Sequence, residues 1–109
     1  YSAAMAIDKL VFLSGQTPIV PHSGQLAEGG IVEQTEQVIK NLGAVLEAAG
    51  SGLDKVIKTT CFLTDMGDFA AFNEVYARYF VSKPARSTIA VKALPKNASV
   101  EIELIAYRD

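Results

Sequence analysis

Apolar residues recur along this chain with more than one period, and the changes of period mark its elements. Tyr1 to Ala6 and Leu10 to Ser14 are short apolar runs separated by Ile7-Asp8-Lys9, which predicts two strands joined by a tight turn. From Gly15 to Gly30 the residues Pro18, Pro21, Ser23, Gly24, Gly29 and Gly30 break every periodicity, so the stretch reads as a loop ending where a helix begins. Ile31, Val38, Ile39, Leu42, Val45, Leu46 and Ala49 then return at spacings of three and four, with Glu33, Gln34, Glu36 and Lys40 on the other face. The spacing predicts a helix over 31–49, closed by Gly50 as a left-handed cap.

Val56 to Leu63 is rich in β-branched residues and reads as a strand; Asp65-Met66-Gly67-Asp68 follows as a turn and helix N-cap. Phe69, Phe72, Val75, Tyr76, Tyr79 and Phe80 form the apolar stripe of a second helix over 69–80, and Pro84 is expected to end it and hold Lys83 extended. In the last quarter Arg86 to Val91 opens a strand, Leu94-Pro95-Lys96-Asn97 reverses the chain, and Val100 to Tyr107 returns with Glu101 and Glu103 between apolar neighbours. The pattern predicts a closing β-hairpin that brings Arg86 near both carboxylates.

The resulting order is ββαβαββ, a single α+β domain over residues 1–109 with both helices on one face of a mixed sheet. Both alternating sets of Leu10-Val11-Phe12-Leu13 are apolar, as are parts of both sets in Val56 to Leu63. A sheet with one face in water alternates more cleanly, so the second face is expected to pack on another copy of the chain, with the site between subunits.

Composition narrows the partners. The 109 residues are half apolar and carry a formal charge of -2, with Lys and Arg scattered rather than gathered in a stripe, so nucleic acid is a poor partner and a small ligand a better one. Cys61 is the only cysteine, and no secretory leader or apolar run of about 18 residues is present, so a reducing compartment, the cytoplasm or an organelle matrix, is expected. The sequence opens at Tyr1 without an initiator Met, and further residues are expected to precede it. His22 has no second histidine to join in a metal site or triad, Gly24, Gly29 and Gly30 lack the dinucleotide-binding spacing, and no CxxC pair occurs; neither metal nor cofactor is expected.

Arg86 carries the candidate chemistry. A guanidinium fork near carboxylates can hold a small carboxylic acid and steer a water or proton beside it, but on residue type alone a structural ion pair with Glu101 or Glu103 is equally open. Glu103 reads as part of a solvated outer face, and Cys61 as an inert core residue.

Several segments resemble one family. Tyr1-Ser2-Ala3-Ala4-Met5, Phe12-Leu13-Ser14-Gly15-Gln16, Lys58-Thr59-Thr60, Phe72-Asn73-Glu74-Val75-Tyr76, Pro84-Ala85-Arg86-Ser87, Leu94-Pro95-Lys96 and Val100-Glu101-Ile102-Glu103 are similar, in order, to the reactive intermediate deaminases known as RidA or YjgF. The resemblance implies a chorismate-mutase-like fold, a homotrimer with clefts between subunits, and cofactor-free hydrolysis of enamines and imines of the 2-aminoacrylate class to 2-keto acids and ammonia. Carried over by position, it implies that Arg86 grips the substrate carboxylate, that Glu101 sits near the substrate nitrogen and attacking water, and that Tyr1, Ser14 and Asn73 line the pocket. Thr88 stands where many relatives have cysteine, so a hydroxyl rather than a thiol would meet the ligand there. Two other classes stay open: a non-catalytic keto-acid sensor or partner-binding trimer using the same arginine, and an RNA-directed endoribonuclease activity, which the acidic balance disfavours.

Overall fold

A computed structural model describes residues 1–109 as β1 (Ala4–Ile7), β2 (Leu10–Gln16), α1 (Ile31–Ala48), β3 (Val56–Leu63), α2 (Phe69–Tyr79), β4 (Ala85–Ala90) and β5 (Val100–Tyr107). The ββαβαββ order and the two helices packed on one mixed sheet agree with the sequence reading. The turn between β1 and β2 is Asp8-Lys9, with Asp8 at φ 51, a left-handed conformation its short polar side chain tolerates.

The closing hairpin is not formed. The strands run in the order β1-β2-β5-β3-β4, so β5 pairs antiparallel with both β2 and β3 while β4 lies on the far side of β3, parallel to it. The burial pattern explains why. Val100 and Ile102 are 0% exposed and Leu104 3%, which requires neighbours on both flanks, whereas Ala85, Ser87 and Ile89 of β4 are exposed and suit an edge. Parallel pairing of β3 and β4 needs a long crossover, and α2 supplies it. Residues 91–99 then carry the chain back across the sheet through Pro95 and left-handed Lys96 and Asn97.

Two local expectations are also corrected. Lys83 is not extended before Pro84: its φ is 54, and its N–H donates to the Phe80 carbonyl at 3.2 Å, so closing the turn after α2 overrides the pre-proline preference. Gln34 is not on the solvent face of α1. It is buried, and its Oε1 accepts from Ser99 N at 2.8 Å, tying the helix to the connection that leads into β5.

The helix signals of α1 hold, whereas before α2 Asp65 caps only the preceding turn, its Oδ1 accepting from Gly67 N at 2.8 Å, and Asp68 at the helix start makes no side-chain cap bond. Glu33 Oε1 accepts from Gly30 N at 2.8 Å at the start of α1, and Gly50 takes φ 82 just beyond its end. The irregular stretch before α1 is fastened to it by Asn41, whose Nδ2 donates to the Thr17 and Ile19 carbonyls at 3.0 and 2.9 Å. Between sheet and helices, Val11, Leu13, Leu63, Ile102 and Leu104 pack against Val38, Ile39, Leu42, Leu46, Phe72 and Val75. On the opposite sheet face Met5, Ile7, Leu10, Phe12, Ile89 and Tyr107 are exposed, an apolar surface that no element of this chain covers.

Because Ile102 is fully buried in the central strand, Ile102→Ala should destabilise the fold by about 2–5 kcal/mol, measured by chemical denaturation.

Candidate functional site

Arg86 lies on β4 opposite Thr59 of β3, and this register turns its side chain toward α2. Its Nη1 donates to Asn73 Oδ1 at 2.6 Å, and the guanidinium carbon stands 4.6 Å from the centre of the Tyr76 ring and 5.5 Å from that of Phe69. No carboxylate pairs with it; the one ion pair in the chain joins Lys55 to Asp109. The structural ion pair with Glu101 or Glu103 is therefore absent. Beside Arg86 is an open cavity of about 640 Å³ lined by residues including Asn73, Tyr76, Phe80, Lys83 and Pro84.

Glu101 belongs to a different place. It stands opposite Phe62 on the sheet face away from the helices, where burial and then the neighbouring Glu103 push its carboxyl above the usual range. Its side chain lies across Gly15, where a Cβ would clash with Oε2, so the missing side chain leaves room for the carboxylate. The β2–β5 register shifts between Leu13 and Gln16, beside this contact. Ser14 Oγ donates to the Ser2 carbonyl at 2.6 Å and so draws the segment carrying Tyr1 toward the same end of β2; Tyr1 itself is fully exposed.

The candidate residues thus form two groups. Arg86, Asn73 and Thr88 are on or toward the helix side of the edge strand; Ser14 and Glu101 are at the helix-free face, and Tyr1 precedes the Ser2 carbonyl that Ser14 holds. Arg86 and Glu101 are separated by β3 and by three positions along it, roughly 10 Å in each direction, with the sheet between their side chains. One copy of the chain does not bring them together. The lateral part of this separation comes from the strand order, which leaves β3 between β4 and β5.

Thr88 packs beside Cys61 on the helix side, and its Oγ1 is buried without a hydrogen-bond partner. Cys61 is buried, its Sγ 3.9 Å from Thr59 Oγ1, and burial pushes the thiol up to about 11. His22 is exposed, and Glu103 is exposed beside Thr60. No group of three His, Cys, Asp or Glu side chains is placed to hold a metal ion, and no helix is long and apolar enough to cross a membrane. Sequence reasoning missed the aromatic support of Arg86. Phe69 and Tyr76 were legible only as core stripe residues, although Asn73 at the matching helical offsets, i+4 from Phe69 and i−3 from Tyr76, marks the same face of α2.

The comparisons with known proteins agree with this fold. The sequence model of the Endoribonuclease L-PSP family matches residues 1–108. The mouse 2-iminobutanoate/2-iminopropanoate deaminase is 50% identical over 99% of this chain and 81% of its own length. A yeast crystal structure, 51% identical, superposes with a TM-score of 0.97 over 100% of this chain and 87% of that one. Escherichia coli TdcF, crystallised with bound serine, is 37% identical with a TM-score of 0.94 over 100% and 88% of the two chains. The chain belongs to the Endoribonuclease L-PSP family, which includes the RidA and YjgF proteins its motifs resemble.

With its ionisation suppressed by burial, the Cys61 thiol of the native protein should react with a disulfide reagent at pH 8 roughly 100-fold more slowly than that of the guanidinium-unfolded chain, followed by absorbance.

Proposed function

We propose that this protein hydrolyses reactive enamine and imine intermediates of the 2-aminoacrylate class to 2-keto acids and ammonia, at sites shared between copies of the chain in a homotrimer. The observation that carries the reading is the Arg86 guanidinium: held by Asn73 at 2.6 Å, backed by two aromatic rings, bordering a cavity and free of any carboxylate partner. Such a cation is suited to a small carboxylate, and its fork would fix orientation as well as affinity. The names of the relatives favour the same chemistry, and the serine bound to TdcF is an amino acid of the size expected for the ligand.

The separation of Arg86 from Glu101 supports a composite site. The apolar face formed by Met5, Ile7, Leu10, Phe12 and Tyr107 needs covering, and a neighbouring copy docked there would bring its Arg86 side toward the Tyr1, Ser14 and Glu101 group. In this mechanism the enamine gains a proton at C3 and loses one from nitrogen to become the imine, which Arg86 holds through its carboxylate. A water oxygen adds to C2 while Glu101 takes a water proton and delivers it to the imine nitrogen; Glu101 then moves the carbinolamine hydroxyl proton to the amine, so that the C–N bond breaks, the C=O bond forms and ammonia leaves. A carboxyl whose proton is held more tightly than usual is suited to this two-way transfer. Enamines and imines of this kind hydrolyse in water unaided, so each ~1.4 kcal/mol of assistance gives a useful tenfold gain. The chain is assigned to the cytoplasm or an organelle matrix, where such intermediates arise.

Generating 2-aminoacrylate with a serine or threonine dehydratase and following keto acid release against semicarbazide trapping tests the reading. Addition of the protein should speed keto acid release, and Arg86→Ala should lose about 10- to 150-fold in kcat/KM, the equivalent of a charge-assisted pair of ~1.5–3 kcal/mol. Equal traces with and without protein would favour the sensor instead. Phe12→Glu, on the uncovered face, should shift the sedimentation coefficient from trimer to monomer and abolish turnover together.

A further inference from the structure

Building on the carboxylate clamp proposed above, we infer that Tyr76 is the positioning residue that fixes the plane of the Arg86 guanidinium. The guanidinium carbon lies 4.6 Å from the centre of the Tyr76 ring, nearer than the 5.5 Å to Phe69, and Asn73 takes one N–H of Nη1 at 2.6 Å. The other N–H groups of Arg86 find no acceptor in the chain, so the fork is held on a face and at one corner while the donors that would meet an anion stay open.

The ring can serve as a reference surface because it is itself immobilised. Its hydroxyl shares a 2.7 Å hydrogen bond with the fully buried Thr59 Oγ1, on the strand position directly opposite Arg86. Phe80 stacks on it at 4.3 Å and 28°, and Phe72 packs at 5.7 Å and 45°. An arginine on an exposed edge strand would otherwise sample many rotamers and lose that freedom on binding. Here the electron-rich ring face attracts the cation and orders it beforehand. The clamp and its support also lie within one protomer, so the half-site is set before subunits meet.

The effect predicted is on binding, since a preordered carboxylate clamp acts alike on ground and transition states. The test series starts from Thr59→Val with Tyr76→Phe, which removes both hydroxyls together and leaves neither orphaned. Position 76 is then changed, in the same background, to trifluoro- and pentafluorophenylalanine, which drain charge from the ring face with little change in size. KM for imine turnover and Kd for 2-oxobutanoate by calorimetry should rise stepwise, about 3- to 10-fold across the series, with kcat and Tm held. Flat KM and Kd, while Arg86→Ala still raises both, would overturn the role of the ring and leave the clamp standing. Arg86→Ala without effect on either would sink the clamp itself, and this inference with it. A second measurement needs no variant at position 76: the Arg86 side-chain resonances, assigned through Arg86→Lys, should show ring-current shielding that persists when 2-oxobutanoate is added. Unshielded resonances would overturn the proposal.

Discussion

The insertion of β5 between β2 and β3 is the constraint on which the rest of this structure depends. Val100, Ile102, Leu104 and Ala106 carry enough apolar surface to require a flank on each side and a helical layer above. Once they occupy the centre, β4 has only the outer edge of β3 left, and it can reach that edge in parallel because α2 spans the return. Arg86 rides on that edge strand. Its register against Thr59 points it at α2, where Asn73 and Tyr76 wait one helical turn apart. The same insertion presents Glu101 to the opposite face, against Gly15.

A division of labour follows from this topology. The helix side of the edge strand supplies a cation with aromatic and amide support, and the uncovered face supplies a carboxyl whose proton is held more tightly than usual. The sheet insulates one from the other. A carboxylate and a guanidinium in reach of each other within the chain would neutralise one another and leave nothing for a ligand. Within one chain the two groups are kept apart, and neither neutralises the other.

Much of this was legible in the sequence, and the failures have definite physical causes. The borders of β3 and α1 were readable because Val56–Leu63 and the Ile31 stripe are uninterrupted runs of one period bounded by glycine or acidic turn residues. The pairing of β4 with β5 was misread because adjacency along the chain predicts a hairpin, whereas burial of β5 on both flanks decides its partners, and burial is a property of the assembled sheet. Gln34 was misplaced for a similar reason: its polarity suggested solvent, but Ser99 N needed an acceptor. Arg86, Asn73 and Glu101 could be named from motif and residue type, whereas their distribution over two faces could not, since it hangs on which strands are neighbours. Tyr76 and Phe69 were concealed by double duty, as their spacing is fully explained by the core stripe.

The two hydrogen bonds from Asn41 bear on motion rather than on chemistry. They moor residues 17–19 to the middle of α1, and Gln37 Nε2 braces Asn41 Oδ1 at 2.9 Å from one turn earlier. A long irregular segment attached in this way cannot lift like a flap without disrupting a helix side chain network, so its opening rate is slaved to that of the helix. The glycine- and proline-rich stretch is thereby a fixed rim beside α1 rather than a movable cover.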